Sequence, residues 1–156
     1  MKNNDTPHPK RILFVCSGNA CRSQIAEGWA RTLAGNSVEV ASAGVEAHGI
    51  DPAAVAVMSE VGIDISGQRS KSLGVLPNLA FDYVVTLSDR AAEYIRRLGY
   101  PWQIVILPCE SPVPRTIGAA PSLANYRRTR DTIRVNVEHL LGRILFRRKQ
   151  AVKVVA

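Results

Sequence analysis

Three predominantly apolar segments, separated by segments with helical spacing, constrain the fold of this chain more than any other feature. They are KRILFVC (residues 10–16), FDYVVTLS (81–88) and WQIVILP (102–108). Such runs are typical of strands buried on both faces of a parallel sheet. The alternating segment SVEVA (37–41) predicts a fourth strand. We therefore predict an α/β protein: one three-layer domain with a central parallel sheet of about four strands and helices on both faces.

Apolar spacing and terminal residues predict the helices. The spacing favours helices over residues 23–34, 52–61 and 125–146. A further helix begins where Asp89 caps it and is closed by Gly99. Because parallel strands need long crossover connections, these helices are the expected links between the strands.

The length of 156 residues suits a single domain with one core. We expect the folded domain over residues 10–146, between a flexible N-terminus (1–9) and a basic C-terminal tail (147–156). Four prolines predict a loop over 108–121. No apolar run reaches the roughly 20 residues that cross a bilayer, and the first residues lack the hydrophobic region of a signal peptide. These observations predict a cytoplasmic protein with no membrane partner.

The net charge of +7 raises the question of a nucleic-acid partner. Much of the excess lies in YRRTRDTIR (126–134) and RILFRRKQAVK (143–153), near the C-terminus. Aromatic residues do not interleave with these cations as a stacking platform requires. The charge therefore favours a solvated helix face and a basic tail over nucleic-acid binding. A weaker alternative is a positive field that steers an anionic substrate.

The polar loop between the first strand and the first helix has the composition of an oxyanion site. In CSGNACRS (16–23), successive backbone N–H groups lead into a helix N-terminus and form a nest for a tetrahedral anion. Gly18 and Asn19 tolerate the left-handed backbone that such a loop needs. Cys16 lies in the same positive environment, which favours its thiolate, the nucleophilic form.

Two residues at the helix start complete the predicted chemistry. The planar guanidinium of Arg22 suits bidentate contact with a phosphate-like oxyanion. The hydroxyl of Ser23 can donate a hydrogen bond to the thiolate of Cys16. We therefore predict that Cys16 attacks an oxyanion whose equatorial oxygens are held by Arg22 and the loop. The predicted oxyanion-binding residues are Ser17, Gly18, Asn19, Ala20, Cys21 and Arg22.

The loop VCSGNACRS closely resembles the V-C-x-G-N-x-C-R-S signature of the low-molecular-weight protein tyrosine phosphatase superfamily. Five segments are similar to the arsenate reductases built on that fold: CRSQIAEGWAR, SAGVEAHGIDPAAVAVM, VGIDISGQRSKSL, FDYVVTL and YRRTRDTIR. The resemblance covers about residues 12–141. It implies a low-molecular-weight phosphatase-like catalytic domain with a phosphate-binding loop after the first strand. Cys16 is then the nucleophile, Arg22 the oxyanion binder and Ser23 the thiolate stabiliser.

The resemblance implies a cysteine-dependent oxyanion enzyme, most like an arsenate reductase. In such a reductase the thiolate attacks arsenate, and a second thiol then releases arsenite and leaves a disulfide. The alternative is a phosphatase that hydrolyses phosphate monoesters, phosphotyrosine among them, through a phosphocysteine. A lesser alternative is a catalytically weak oxyanion sensor. The resemblance implies no bound cofactor and, for a reductase, an external thiol reductant: thioredoxin, glutaredoxin or a small thiol.

Two departures from the family pattern leave the second thiol and the general acid open. Ser88 stands where thioredoxin-coupled reductases carry a cysteine, and no cysteine follows before Cys109. Ser111 precedes Pro112 where the family normally has the aspartate of an Asp-Pro pair. Glu110 is either a substitute general acid or a solvated loop residue.

The other two cysteines each have two interpretations. Cys109, in a loop expected to lie over the site, is either the resolving thiol for Cys16 or uninvolved, in which case an external thiol resolves the adduct. Cys21 is either a buried packing residue or a disulfide partner that protects Cys16 from over-oxidation. Since three cysteines cannot all pair within one chain, we expect free thiols in a reducing compartment.

The cysteine spacing does not match a metal site, because the two loop cysteines have no histidine partner at zinc spacing. The resemblance raises one other metal, since some of these reductases bind potassium through Asn, Glu, Ser and Asp. Asn19, Glu27 and Ser42 match three of these positions, but Lys71 stands at the fourth. An ammonium there can replace the ion, so we predict no bound metal.

Overall fold

As predicted, four strands form one parallel sheet, and their order is β2-β1-β3-β4. Their bounds are β1 (Lys10–Cys16), β2 (Val38–Gly44), β3 (Tyr83–Thr86) and β4 (Gln103–Ile106). The structure, a computed structural model, describes residues 8–154, with side chains over 8–146. Because the chain goes from β1 outward to β2 and then back across to β3, the winding direction reverses beside β1. The carboxyl ends of β1 and β3 therefore flank the crevice where sheets of this kind bind ligands.

Helices cover both faces of the sheet and make the predicted three layers. They are α1 (Arg22–Ala34), α2 (Pro52–Ser59), α3 (Asp89–Leu98) and α4 (Leu123–Val154). α1, α2 and α4 pack on one face, over a core that includes Ile12, Phe14 and Ile133. α3 covers the other face, over Leu13 and Val15. Successive residues of β1 point to opposite faces, so both cores need apolar side chains and the run is continuous.

The second strand is longer than predicted. β2 pairs with β1 along its whole length, from Lys10 opposite Val38 to Cys16 opposite Gly44. The last three residues of β2, SAG, have the composition of a turn but are buried in the sheet. Their small size has a packing reason, because a Cβ on Gly44 would lie 2.7 Å from the backbone nitrogen of Asn19.

Ser88, and not Asp89 as predicted, is the cap of α3. The Ser88 backbone is extended, with φ −144° and ψ 156°, and its hydroxyl accepts a hydrogen bond from Ala91 N at 3.2 Å. Asp89 is the first helical residue, where its carboxylate lies at the positive end of the helix dipole. Gly99 ends the helix in the left-handed conformation, as predicted.

The last helix continues past its predicted end near Phe146. α4 begins at Leu123 and reaches Val154, so the backbone is helical in most of the segment set apart as a basic tail (147–156). The sequence of residues 147–154, RRKQAVKV, consists mostly of residue types with good helix propensity.

The limits of the domain, residues 10–146, stay a prediction. Residues 1–7, which fall in the predicted flexible N-terminus (1–9), lie outside the described residues, as do residues 155–156 of the predicted tail. Within the described part of the chain, no helix combines the length and the apolar character needed to span a membrane.

Truncating Ile133 to alanine tests the packing of α4 on the sheet. Ile133 is 0% exposed, so its loss leaves a cavity, and we expect the free energy of unfolding to fall by about 2–5 kcal/mol. Val135, on the same helix and 49% exposed, is the matched control, and Val135→Ala is expected to cost under about 1 kcal/mol. Urea unfolding followed by circular dichroism measures both. Equal losses would contradict this packing.

Candidate active site

The segment that follows β2 holds the loop between β1 and α1 from its outer side. Four carbonyls of residues 16–20 accept backbone hydrogen bonds of 2.9 to 3.1 Å from residues 45–51. The pairs are Cys16 O with Val45 N, Ser17 O with Glu46 N, Gly18 O with His48 N, and Ala20 O with Asp51 N. The segment therefore fixes the direction in which these carbonyls point.

The carbonyls of Asn19 and Cys21 are also occupied. Gln24 Nε2 donates to Asn19 O at 3.0 Å, and Ile25 N donates to Cys21 O at 2.9 Å. By contrast, the backbone N–H groups of residues 17–21 have no hydrogen-bond partner among the described residues. Because the N–H of a peptide unit points opposite to its carbonyl, these donors face the hollow side of the loop, at the N-terminus of α1. Such an arrangement is a nest for an anion.

Asn19 is the centre of the hydrogen-bond network beneath the loop. It has a left-handed backbone, with φ +47°, and is fully buried. Its Nδ2 donates to Ser23 Oγ at 2.8 Å and to Ser42 Oγ at 3.0 Å. Its Oδ1 accepts from Gln24 Nε2 at 3.0 Å and from Lys71 N at 2.9 Å. The side-chain amide thus uses both of its donors and both acceptor positions, and it ties the loop to β2 and to the chain at Lys71.

The sulfur of Cys16 lies at the carboxyl end of β1, only 2% exposed and 2.9 Å from Ser23 Oγ. Ser23 Oγ already accepts a hydrogen bond from Asn19, so its own proton is available to the sulfur. Ser23 is therefore placed to donate to a Cys16 thiolate, the role predicted from the sequence. A hydrogen bond to the charged form stabilises that form.

The guanidinium of Arg22 reaches from the start of α1 to the loops that follow β3 and β4. Its Nη1 donates to Cys109 O at 2.9 Å and to Leu87 O at 3.4 Å. Its Nε and Nη2 donate to no other described residue. One edge of the arginine is thus anchored on backbone carbonyls, and the other keeps its donors for an oxyanion.

A cleft with a volume of about 360 Å³ opens beside Arg22. Its lining residues come from α1, the start of α3 and the loop after β4: Arg22, Ser88, Asp89, Pro108, Cys109, Glu110, Ser111 and Arg115. The structure thus brings Cys109 and Glu110 to the same cleft as Arg22. Asp89 also lines this cleft, a placement that its position in the sequence did not indicate.

Glu110, the predicted substitute acid, lies on the rim of this cleft. Its side chain is 88% exposed, and its carboxylate is 3.9 Å from Arg115 Nη2. No hydrogen bond joins it to the loop of Cys16 within the described part of the chain. A role as general acid therefore requires the side chain to turn inward, and it stays a prediction.

All three cysteines are free thiols in the structure, so the Cys16–Cys21 disulfide considered above is not formed. Burial raises the pKa of Cys21, and the Asp51 carboxylate and the other two thiols raise it further, whereas Arg22 lowers it. Burial also raises the pKa of Cys109, which is half-buried, while Arg22 lowers it.

Glu27, Ser42 and Lys71 surround Asn19 on the side away from the nest. Ser42 Oγ donates to Glu27 Oε2 at 3.0 Å, and Arg31 Nη2 donates to Glu27 Oε1 at 2.7 Å. Burial lowers the pKa of Lys71, and the carboxylate of Glu27 opposes that shift. The ammonium of Lys71 donates to Arg69 O at 3.1 Å, whereas Arg31 is the cation that forms an ion pair with Glu27 in the described part of the chain.

Asp51 joins the segment over residues 45–51 to the last helix. Its Oδ1 accepts from Ala53 N at 2.9 Å and caps α2, while Tyr126 donates to its Oδ2 at 2.5 Å. Burial and the carboxylate raise the pKa of Tyr126, so the phenol stays a donor. The cap signal at Asp51 is readable in the sequence, because proline follows it, but the tyrosine partner is 75 residues away.

Fold and loop together define a parallel α/β protein in which a cysteine ends the first strand and an anion-nest loop leads into the first helix. The chain belongs to the family "Low molecular weight phosphotyrosine protein phosphatase", whose sequence model matches residues 11–108. The family resemblance noted in the sequence is therefore confirmed.

Relatives of the chain include arsenate reductases. It is 54% identical over 86 residues to the arsenate reductase of Bacillus subtilis, a match that covers 54% of this chain and 60% of that protein. It is 35% identical over 140 residues to the glutaredoxin arsenate reductase of Synechocystis sp., and this match covers 86% of this chain and 98% of that protein. A solved structure of an arsenate reductase in the phosphate binding state matches with a TM-score of 0.71 and 34% sequence identity. This match covers 86% of this chain and 98% of the solved chain. The chain spans about 60% of the length of the first curated reductases it matches.

Replacing Asn19 with alanine tests whether its network holds the nest in shape. The change leaves several buried polar groups unpaired, so we expect the free energy of unfolding to fall by about 2–4 kcal/mol and phosphate binding to weaken. Asn36→Ala, at an exposed asparagine, is the matched control. Urea unfolding and calorimetric titration with inorganic phosphate measure the two effects. If Asn19→Ala matched the control in both, the network would not be what shapes the loop.

Proposed function

We propose that this protein reduces arsenate to arsenite, with Cys16 as the nucleophile. The observation that carries the proposal is the Cys16 sulfur, 2.9 Å from Ser23 Oγ, at the start of a loop whose N–H groups have no partner among the described residues. The similarity to arsenate reductases supports the choice of arsenate among tetrahedral oxyanions. The loop N–H groups and Arg22 then bind the oxygens that stay equatorial during attack.

In the first step, the Cys16 thiolate attacks the arsenic atom. A sulfur–arsenic bond forms, one arsenic–oxygen bond breaks, and the departing oxygen leaves as water once it has taken up a proton. Ser23 stabilises the thiolate before attack, and Arg22 with the loop N–H groups stabilises the negative charge of the transition state. Glu110 is our candidate donor of the proton, because its carboxyl group is on the cleft beside Arg22.

In the second step, we assign the attacking thiol to Cys109. Its N–H donates to Leu87 O at 3.0 Å and its carbonyl accepts from Arg22, so its backbone is fixed at the cleft. The Cys109 thiolate attacks Cys16 Sγ, and the electron pair of the sulfur–arsenic bond passes to arsenic. Arsenic(V) becomes arsenic(III), arsenite leaves, and a Cys16–Cys109 disulfide remains. An external thiol then reduces the disulfide, a class of reductant supported by the relative named a glutaredoxin arsenate reductase.

A phosphatase is the second candidate function. Ser88 Oγ lies 3.2 Å from Ser17 Oγ, so a hydroxyl occupies the position beside the loop where the resemblance would place a reductase thiol. In a phosphatase no second thiol is needed, because water hydrolyses the phosphocysteine. The two functions share the attack by Cys16 and differ in the step that follows, so an assay has to separate them at that second step.

A paired assay of the purified protein and Cys16→Ser separates the candidates. We expect arsenite release from arsenate when thioredoxin, glutaredoxin or a small thiol is supplied, and a loss of at least about a thousandfold in Cys16→Ser. The variant keeps the nest, so it is expected to bind arsenate still. Hydrolysis of para-nitrophenyl phosphate without arsenite release would establish the phosphatase instead. Tight anion binding without either product would indicate a sensor, and activity retained by Cys16→Ser would rule out the mechanism.

Cys109→Ser tests the second step in a single turnover without added thiol. The wild type is expected to release about one arsenite per chain and to form the Cys16–Cys109 disulfide, whereas the variant releases almost none. Burial raises the pKa of Cys109, so little thiolate is present at neutral pH and the release rate is expected to rise as pH increases through the thiol range. Quenched-flow sampling measures the rate and amount of arsenite release, and peptide mapping identifies the disulfide. If Cys21→Ser were the variant that blocks release, Cys21 would be the resolving thiol.

A further inference from the structure

A second cavity lies on the other side of the loop that carries Cys109. It has a volume of about 550 Å³, is open to solvent on one side, and lies between this loop and α4. Residues 108–111 border both this cavity and the cleft of Arg22, so the loop is a partition between them. Cys109 is thus reachable from the α4 side, whereas Cys16 is 2% exposed at the floor of the loop.

The wall contributed by α4 is polar and positively charged. It consists of Asn125, Arg128, Thr129 and Thr132. The guanidinium of Arg128 is hydrogen-bonded to Asn125 Oδ1 and forms no ion pair with a described carboxylate. Thr129, beside this arginine, is only 7% exposed. A guanidinium that has no acidic partner, on a cavity wall with other polar side chains, suits a polar anionic ligand.

Three properties define the ligand that fits this cavity. The cavity volume is in the range of small-molecule sites. It is large enough for a molecule the size of a short peptide and much larger than a single ion needs. Arg128 selects a carboxylate, and the threonine hydroxyls supply further hydrogen bonds. The thiol of Cys109 at the partition gives the ligand a sulfur to react with. A low-molecular-weight thiol that bears a carboxylate meets all three conditions.

We propose that the cavity between the Cys109 loop and α4 binds the small anionic thiol that reduces the protein after turnover. The inference rests on the proposed function for the disulfide that it consumes. The bound thiolate attacks Cys109 Sγ, a new sulfur–sulfur bond forms, and the Cys16–Cys109 bond breaks with its electron pair on Cys16. A second thiolate attacks the sulfur of the bound molecule, which releases a small disulfide and the Cys109 thiolate. Two thiols are thereby oxidised for each arsenate reduced.

The direction of attack follows from burial and from the leaving group. Attack at Cys16 Sγ would require the reductant to enter the nest that holds the oxyanion. Attack at Cys109 leaves that nest undisturbed and returns Cys16 as a thiolate, the form to which Ser23 donates. A thiol that leaves as a stabilised thiolate leaves faster, so the same contact that prepares Cys16 for attack favours its release.

The first experiment probes the cavity without arsenate. The reduced full-length protein is mixed with oxidised glutathione, which is anionic, or with 2-hydroxyethyl disulfide, which is neutral. Peptide mapping locates the mixed disulfide, and we expect glutathione on Cys109. Arg128→Glu is expected to slow the glutathione reaction about fivefold at low ionic strength and to leave the neutral reaction unchanged. Arg143→Glu, the same charge change farther along α4, is the matched control and is expected to change neither rate.

The second experiment repeats the comparison on protein oxidised by one equivalent of arsenate, with glutathione and 2-mercaptoethanol as reductants. We expect Arg128→Glu to slow the reduction by glutathione but not the reduction by 2-mercaptoethanol. Single-turnover arsenite release is expected to stay unchanged. If Arg128→Glu slowed the reactions of the charged and the neutral reagent equally, the cavity would not be the thiol site. The same conclusion would follow if glutathione were found attached to Cys16. If arsenate left the protein unoxidised while the first experiment gave the expected selectivity, the proposed function would fail and the binding site would stand.

Discussion

The pairing of loop carbonyls with the N–H groups of residues 45–51 is the constraint on which the site depends. A loop of this length has no ladder of its own to orient its peptide groups, so each group is free to turn either way. Bonds on the outer side fix the carbonyls there and leave the opposite N–H groups directed inward. Donors held in this way need no rearrangement when negative charge develops between them. The close approach also explains Gly44, where a Cβ would meet Glu46 O at 2.1 Å.

Beneath the loop, stability and function depend on the same buried polar groups. The side-chain amide of Asn19 donates hydrogen bonds to the hydroxyls of Ser23 and Ser42. Gln24 in turn donates to Arg69 O at 3.0 Å and accepts from Gln68 Nε2 at 2.7 Å. Each member is paired, which is the condition under which a buried polar network stabilises a fold. Removing one partner leaves others unpaired in a low dielectric, so the cost is shared by the loop and the core. The hydrogen bond that prepares Cys16 is therefore an extension of the network that holds β1, β2 and α1 together.

The predictions that succeeded rest on local signals. The apolar run of β1, the Gly18–Asn19 pair and the spacing of α1 lie within one stretch, and they sufficed to place Cys16 at a strand end and Arg22 at a helix start. The turn interpretation of SAG failed because pairing with β1 and the close approach at Gly44 are contacts between distant segments. The helix cap moved to Ser88 for a local reason, since both Ser88 and Asp89 are good caps and the extended backbone selected one. The cavity beside Cys109 depends on where α4 crosses a proline-rich loop, which no periodicity encodes.

Arg22 links the two halves of the proposed reaction. Its Nη1 holds the backbone of Cys109, and its Nε and Nη2 donate to no other described residue. An arginine has donors enough for both, whereas a lysine would have to give up one contact for the other. The chain lacks a cysteine at Ser88, and in the proposed reaction the second thiol comes instead from the loop after β4, whose backbone this guanidinium holds at the cleft. In the proposed reaction, Arg22 would therefore act in both steps: it would bind the oxyanion in the first and position the thiol of Cys109 for the second.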